Sequence, residues 1–142
     1  MTLTLAVAQK ILASALEFAH SKSMRPLTVV VLDARAAVIA VASQDGSSLD
    51  RFYVARGKAR GALAFSLGSR AVEKIATDRP HFFAGVAPMI DGGIVPVAGG
   101  VLIRSADRVL MGAIGISGDT SDNDEAAGLA GIAAAGLIGD GG

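Results

Sequence analysis

The sequence predicts an α+β fold in which helices cover a central antiparallel β-sheet. Short apolar segments occur in pairs joined by turn residues, which is typical of hairpin strands, and helical segments precede, separate and follow these pairs. The 142 residues have the length of one ordinary domain and contain no repeat or linker. Residues 1–142 are therefore expected to fold as a single domain.

The chain is expected to begin with an amphipathic helix from Leu3 to about Ser21. Small and aliphatic residues recur three and four positions apart along one stripe: Leu5, Ala8, Leu12, Ala15, Leu16 and Ala19. Pro26 disfavours helical geometry at Arg25, so the helix ends before them. Gln9 and Lys10 interrupt the apolar residues, and the segment is therefore not expected to be a signal peptide.

A hairpin and a cationic helix are predicted next. Segments 27–33 and 38–43 are short and rich in β-branched residues, as expected of two paired strands. Residues 50–67 then have helical spacing, although Gly57 and Gly61 each cost about 1 kcal/mol relative to alanine inside a helix. Because these glycines are four residues apart and share one face, something is expected to approach that face closely.

The second half is expected to contain two further helices and a second group of strands. The predicted elements are a short helix over 69–79 with Ser69 as its cap, strands over 94–103 and 109–117, and a helix from about Asp122. Residues 80–93 are predicted to form an irregular apolar loop, and residues from 138 onwards to fray. Pro96 is expected at a strand edge or bulge.

Composition excludes several classes of site and partner. The chain has no cysteine, so disulfides, thiolate metal sites and cysteine nucleophiles are absent. Thirteen basic and thirteen acidic residues leave no net charge, so nucleic acid is not an expected partner. No apolar run reaches the ~20 residues that span a bilayer, so a cytoplasmic protein is expected. Alanine and glycine supply much of the apolar content, and such small side chains predict a homo-oligomer with burial between subunits.

The most patterned stretch, residues 111–128, predicts a strand-to-helix junction. It lacks the lysine of a phosphate-binding P-loop, the glycine spacing of a dinucleotide site and the acidic spacing of an EF-hand. Ser121 and Asp124 have the spacing of a capping box, and Asp122, Asp124 and Glu125 would lie where the helix dipole favours anions. A second interpretation is that one of these carboxylates also faces a ligand pocket.

Two regions are candidates for a functional site. The helix over 50–67 carries four cations as well as Tyr53, and would suit a carboxylate-bearing or otherwise anionic small molecule. The cations are Arg51, Arg56, Lys58 and Arg60. The two histidines, His20 and His81, are candidate metal or haem ligands, although a surface or capping role is the simpler interpretation of each. Without a second ligand nearby, zinc and non-haem iron sites are not expected.

An ordered set of motifs resembles the GlcG/HbpS family. The motifs are AxxKAxxA at 55–62, GGIVPV at 92–97, GAIGISG at 112–118 and the acidic pair at 124 and 125. The resemblance covers nearly the whole chain. It implies a profilin-like fold, assembly into homo-oligomers, and a pocket near a subunit interface that some relatives use for haem or another tetrapyrrole. Carried over by motif, the ligand-binding candidates are Lys58, Gly92, Gly93, Pro96, Gly118 and Asp124.

The chain departs from the family pattern after the first strand. The family usually has an aspartate followed by a glycine turn, whereas Asp33 is followed here by Ala-Arg-Ala-Ala, with no glycine. The departure leaves the identity of the ligand more open than the fold.

Three functions remain open at this point. The first is a haem- or tetrapyrrole-binding protein, with His20 as a candidate axial ligand of the iron and Arg56 or Lys58 paired with the propionates. The second is a cofactor-independent isomerase, lyase or hydrolase of a small organic acid, in which Lys58 or an arginine would hold the substrate carboxylate and Asp124 or Tyr53 would move a proton. The third is a scaffold or accessory subunit without chemistry of its own.

Overall fold

The protein consists of helices on both faces of a five-stranded sheet, seen in a computed structural model that describes residues 2–142. Within these residues, helices α1 to α5 span Leu5–Ser21, Arg51–Phe65, Ser69–Asp78, Pro80–Val86 and Ser121–Ala134, and a 3-10 turn spans Ala87–Met89. Strands β1 to β5 span Thr28–Asp33, Val38–Ser43, Gly100–Arg104, Leu110–Ser117 and Ile138–Asp140. In this part of the chain, no helix is both long enough and apolar enough to cross a membrane.

All neighbouring strands of the sheet are antiparallel, in the order β2-β1-β4-β3-β5. The two predicted strand pairs are the hairpins β1–β2 and β3–β4, and they join side by side through β1 and β4. Val30, in the centre of β1, lies opposite Val41 on one side and Gly115 on the other. The predicted α+β fold with a central antiparallel sheet is confirmed.

Each face of the sheet has its own apolar layer. Helices α1 and α5 cover one face, where they pack against residues such as Val31 and Ile114. Helix α2 covers the other face, where Ala55 and Ala59 pack near Val30. Successive side chains of a strand point to opposite faces, so Val30 and Val31 belong to different layers. Consequently α1 and α2 lie on opposite sides of the sheet.

Small residues allow the elements of this chain to approach one another closely. Where α5 crosses α1, a Cβ added at Gly131 would lie 3.0 Å from the Cβ of Ala15. Where β4 passes under α2, a Cβ added at Gly115 would lie 3.0 Å from the Cβ of Ala59. Much of the small-residue content therefore serves contacts within one chain. The homo-oligomer stays a prediction.

Three predicted elements differ from the structure. Residues 80–89 form α4 and the 3-10 turn instead of an irregular loop, although neither element contains a buried residue. The strand predicted over 94–103 begins only at Gly100, because residues 94 and 95 pack across α2, and Pro96 therefore precedes the strand. Ile138–Asp140 do not fray but pair with β3 at the edge of the sheet.

Candidate functional site

The predicted site residues fall on two sides of the sheet. Tyr53, Arg56 and Lys58 belong to α2, and His20 belongs to the last turn of α1. Because α1 and α2 pack on opposite faces, the sheet separates His20 from Arg56 within one protomer. A ligand bound by His20 would contact Arg56 only if that arginine belonged to another copy of the chain.

The glycine face of α2 is covered by the chain itself. A Cβ added at Gly57 would lie 2.7 Å from a methyl carbon of Val95, and a Cβ at Gly61 would lie 2.7 Å from a methyl carbon of Ile94. The Val95 amide also donates a hydrogen bond of 3.2 Å to the Gly57 carbonyl. The close approach that the two glycines predicted is thus made by residues 94 and 95 and not by a ligand.

Lys58 is buried and paired with Asp124. Its ammonium donates to the Ile116 carbonyl at 2.9 Å and to Oδ2 of Asp124 at 3.1 Å, and the whole residue is 2% exposed. Desolvation lowers the pKa of Lys58 and raises the pKa of Asp124, whereas the attraction between the two charges opposes both shifts. Each ion therefore depends on the other to remain charged inside the protein.

Asp124 faces inward from the first turn of α5 and does not form the predicted capping box. The helix is capped instead by Thr120, whose hydroxyl accepts a hydrogen bond from the Asn123 amide at 3.2 Å. Asp124 is 1% exposed, and both of its carboxylate oxygens have partners inside the protein. Oδ2 binds Lys58, and Oδ1 accepts a hydrogen bond of 3.0 Å from the Asp119 amide. The Ser121 assignment was therefore wrong by one residue.

The other two acids of this turn bind a cation of α3. Arg70 donates to Asp122 at 2.6 Å and to Glu125 at 3.1 Å, and these hydrogen bonds raise the pKa of the Arg70 guanidinium above its usual range. The acidic first turn of α5 thus binds two cations from other helices, Lys58 of α2 and Arg70 of α3. A catalytic or ligand-binding role for Lys58 or Asp124 stays a prediction, and a ligand would reach either group only by displacing the other.

Arg56 lies against the glycine loop that follows the 3-10 turn. A Cβ added at Gly92 would lie 2.9 Å from the central guanidinium carbon of Arg56, so the guanidinium rests directly on the Gly92 backbone. Gly92 and Gly93 adopt φ values of +81° and +78°, which favour glycine. The Nε of Arg56 is buried and has no hydrogen-bond partner among residues 2–142.

Tyr53, Arg56 and Arg60 form one stripe along the outer surface of α2, which we call the donor stripe. Spacings of three and four residues place the three side chains on a common helix face. Tyr53 is 63% exposed, and Arg56 and Arg60 are half-buried. Within residues 2–142 none of the three side chains makes an ion pair or a side-chain hydrogen bond.

His20 is exposed at the end of α1 and stands in an apolar row. Leu5, Leu12 and Leu16 precede it by fifteen, eight and four residues, so all four share one flank of the helix. Phe18 and Lys22 lie on the opposite flank, where they line a cavity of about 260 Å³ with Met24, Asn123 and Ala126. A shallow cleft of about 460 Å³ adjoins Met24 on its other side and is lined by Pro26, Ser43, Gln44 and Asp45.

The remaining candidates lie apart from these groups. His81 is exposed in the first turn of α4. Pro96 belongs to the segment that crosses α2, and Gly118 packs against Pro26 and Leu27 at the end of β4. Among residues 2–142, no three His, Asp or Glu side chains come close enough together to hold a metal ion. The structure thus brings together Arg56, Gly92 and Gly93, and separately Lys58 and Asp124.

Sequence reasoning missed two features of this region. It treated Arg60 as one of four equivalent cations, although only Arg56 and Arg60 share the exposed stripe with Tyr53; their spacing of four residues was the available signal. It also missed the clefts around Met24, which form between α1, α5 and the end of β2. No local pattern marks such a cleft, because its walls are distant in sequence.

The chain resembles known proteins both in sequence and in fold. Residues 3–133 match a family model described as haem-degrading protein HbpS-like. Among solved structures, HbpS superposes with a TM-score of 0.81 at 26% identity, over 94% of this chain and 89% of that one. No curated protein sequence matches significantly.

Two more distant structures show the same fold. A PduOC:heme complex superposes with a TM-score of 0.84 at 22% identity, over 96% of this chain and 97% of that one. The Klebsiella pneumoniae protein ORFY, of the family DUF336, superposes with a TM-score of 0.82 at 19% identity, over 96% of this chain and 92% of that one. Each of these matches extends along nearly the entire chain, so the likeness concerns the whole fold.

Proposed function

The chain belongs to the HbpS-like family, and from this premise we propose that it binds haem through His20, at a surface completed by a second copy of the chain. The observation that carries the proposal is the match of residues 3–133 to a family described as haem-degrading. The shared fold of a PduOC:heme complex supports it. The groups present around His20 must then be able to hold an iron porphyrin.

The donor and the apolar surface at α1 fit haem. A neutral imidazole is a common axial ligand of haem iron, and His20 is exposed and so available to one. Leu16 and Leu12 precede it by about 6 and 12 Å along the helix axis, and both are half-buried against the core. An apolar row that ends in an imidazole offers one wall for the porphyrin and a ligand for the iron. Bound haem would supply the redox-active iron, and the chain supplies the ligand and the wall.

The propionates need cations on the same side of the sheet. Lys22 follows His20 by two residues and has no carboxylate partner within residues 2–142, but it lies on the opposite flank of α1, where its ammonium is 5.7 Å from the centre of the Phe18 ring. Lys22 therefore points away from a haem bound along the His20 row, and Lys58 is buried with Asp124, so the propionates would have to find their cations on the second copy. Arg56 would contribute only from another protomer, because it lies beyond the sheet.

A second copy would supply the other wall of the site. His20 is exposed in the isolated chain, so a porphyrin bound to it would leave one face in water. Covering that face with an apolar surface would add the free energy of burial that a flat site lacks, roughly 25 cal/mol per Å². This is the physical basis on which we propose a homo-oligomer.

Titration of the purified protein with hemin tests the proposal. We expect a saturable Soret shift. His20→Ala should raise the Kd for hemin by about tenfold or more, because it removes the iron ligand. His81→Ala is the matched control, because His81 is also exposed but lies on α4, and it should leave the titration unchanged. A titration that shows only nonspecific association, or that His20→Ala does not alter, would contradict the proposal.

An enzyme that acts on a small organic acid is the second candidate function. The donor stripe favours it, because two unpaired guanidinium groups and a phenol on one surface are suited to a carboxylate. A proton-transferring group beside the stripe would have to be Tyr53, since Lys58 and Asp124 are closed off together. If the protein converts a small organic acid and Tyr53→Phe abolishes that turnover, the result would support this function. If the acid binds but is not converted, the stripe is a carboxylate-binding site without catalysis.

A further inference from the structure

We propose that the donor stripe and the Gly92–Gly93 loop bind a carboxylate group. The stripe consists of Tyr53, Arg56 and Arg60 on the outer surface of α2. This inference does not rest on haem binding at His20, which lies on the other face of the sheet. The carboxylate belongs either to a free small organic acid or to a haem propionate held by a second copy, and the experiments below separate these sources.

The first argument is uncompensated charge. Arg56 and Arg60, like Lys22 and Arg79, form no ion pair within residues 2–142; unlike those two, they lie one helical turn apart on one face. Like charges four residues apart on a helix repel each other. A bound anion between them would remove this repulsion and provide the missing partner.

The second argument is the fixed orientation of Arg56. Its guanidinium rests on the Gly92 backbone, and its Nε is buried without an acceptor, so the side chain is held in place at the cost of one unsatisfied donor. The two terminal nitrogens of the Arg56 guanidinium remain accessible to solvent. A guanidinium held in one orientation loses little entropy when it binds a ligand.

The third argument is the spacing of the donors. Arg56 and Arg60 are one helical turn apart, about 6 Å along the axis, and Tyr53 lies almost one turn before Arg56. A planar carboxylate accepts two parallel hydrogen bonds from one guanidinium, and a second guanidinium one turn away suits a second carboxylate or hydroxyl of the same molecule. Small di- or hydroxycarboxylic acids meet this requirement.

The loop leaves room for such a ligand. A Cβ added at Gly93 would meet no atom within 4 Å, so the space beyond Gly93 is open. The Gly92 amide makes no hydrogen bond with the rest of residues 2–142, and it stands next to the guanidinium of Arg56. Asp91 is the nearest acid in the sequence, is exposed, and forms no ion pair with Arg56. Donors therefore predominate at this point of the surface.

Titration of the ¹⁵N-labelled full chain with succinate tests the site directly, with sodium chloride at equal ionic strength as the reference. We expect saturable shifts of the Nε–Hε resonances of Arg56 and Arg60, and none at Arg79, whose guanidinium packs on the Phe82 ring. Arg56→Gln should weaken binding about tenfold or more, and Arg56→Lys should restore only part of it, since lysine keeps the charge but lacks the planar fork. Lys10→Gln makes the same charge change on α1 and should have no effect.

The haem source is separated by comparing hemin with its dimethyl ester. If Arg56→Gln and Arg60→Gln weaken the binding of hemin but not of its ester, the carboxylate is a haem propionate. If both variants weaken the binding of succinate, whether or not the chain also carries His20→Ala, the carboxylate belongs to a free acid. The proposal is overturned if neither hemin nor succinate responds to Arg56→Gln or Arg60→Gln. It is also overturned if the arginine resonances follow protein concentration alone, because an acidic surface of a second copy then occupies the stripe.

Discussion

The ammonium of Lys58 lies 3.1 Å from a carboxylate oxygen of Asp124, and this buried pair joins α2 on one face of the sheet to α5 on the other. The two side chains meet beyond the end of β4, where the Ile116 carbonyl accepts a second hydrogen bond from the same ammonium. Two layers that share no apolar contact are thereby connected. The pair therefore has a clear structural role, which accounts for two residues of the family motifs without a ligand.

Replacing Lys58 with methionine should destabilise the fold strongly. The change leaves the Asp124 carboxylate buried without a counter-ion, which costs about 3–5 kcal/mol. Urea unfolding at pH 7 measures the loss. Lys74→Met is the matched control, because the Lys74–Asp78 pair is exposed and its removal should have no measurable effect. A Lys58→Met variant as stable as the original protein would show that Asp124 is not held as an ion.

The loss caused by Lys58→Met should be smaller at low pH. Burial raises the pKa of Asp124, and Lys58 is the largest influence that opposes this rise. Without Lys58 the folded pKa lies further above the unfolded value of about 3.9, so folding favours the protonated carboxyl. The variant's deficit relative to the original protein should then grow as pH rises from 4 to 7. A deficit independent of pH over this range would contradict the assignment to Asp124.

Asp119→Asn should destabilise the protein at neutral pH and much less at pH 2. The Asp119 carboxylate accepts hydrogen bonds from the Arg25 amide, the Asn123 side chain and the Thr120 amide, and these lower its pKa from 3.8 to about 2. A depressed folded pKa gives stability that is present above the unfolded pKa and is lost as pH falls through about 2. We expect a loss of about 1–2 kcal/mol at pH 7.

Urea unfolding at the two pH values checks this prediction. Asp107→Asn is the control, because Asp107 is exposed in the β3–β4 turn and makes no ion pair within residues 2–142. The prediction is wrong if the Asp119→Asn deficit is the same at pH 2 as at pH 7.

Gly57→Ala should destabilise α2 even though alanine favours helices. The new Cβ would lie 2.7 Å from a Val95 methyl carbon, and overpacking of this kind costs about 1–3 kcal/mol, against a gain in helix propensity of about 1 kcal/mol. Gly85→Ala in α4 is the control, because nothing lies within 4 Å of its added Cβ and only the gain remains. Thermal unfolding compares the two, and Val95→Ala should partly rescue Gly57→Ala.

Ala36→Gly should stabilise the β1–β2 hairpin. Ala36 adopts a φ of +65°, a left-handed conformation that costs a non-glycine residue about 1–2 kcal/mol. Asp33 holds this turn by accepting hydrogen bonds from the Arg35 and Ala37 amides. We expect a gain of about 1 kcal/mol in urea unfolding. Ala34→Gly, at a position without positive φ, should give no gain; equal gains at both positions would refute the role of φ.

The elements predicted correctly are those whose pattern is local. Segments 27–33 and 38–43 are short β-branched runs with turn residues between them, and α1 keeps a helical stripe over four turns. The errors arose where distant contacts decide the outcome. Residues 94 and 95 have the composition of a strand but lie on the glycine face of α2, and β5 is too short to show a periodicity.

The candidate site was predictable only in part for the same reason. The motifs identified Lys58, Gly92 and Asp124, and the cationic helix identified Arg56. The sequence cannot show that Lys58 bonds Asp124 across 66 positions or that Arg56 rests on Gly92. Pairing with Asp124 made Lys58 a buried structural group, whereas Arg56 is half-buried and has no acidic partner within residues 2–142. Which cations remain available to a ligand became visible only in the fold.

The structure of the protein crystallised with hemin tests the central proposal most directly. We predict that the iron is bonded to an imidazole nitrogen of His20, that the porphyrin lies along the row of Leu12 and Leu16, and that a second copy of the chain covers its other face. Iron bonded to a different side chain, or crystals grown with excess hemin that contain no ordered haem, would contradict the proposal.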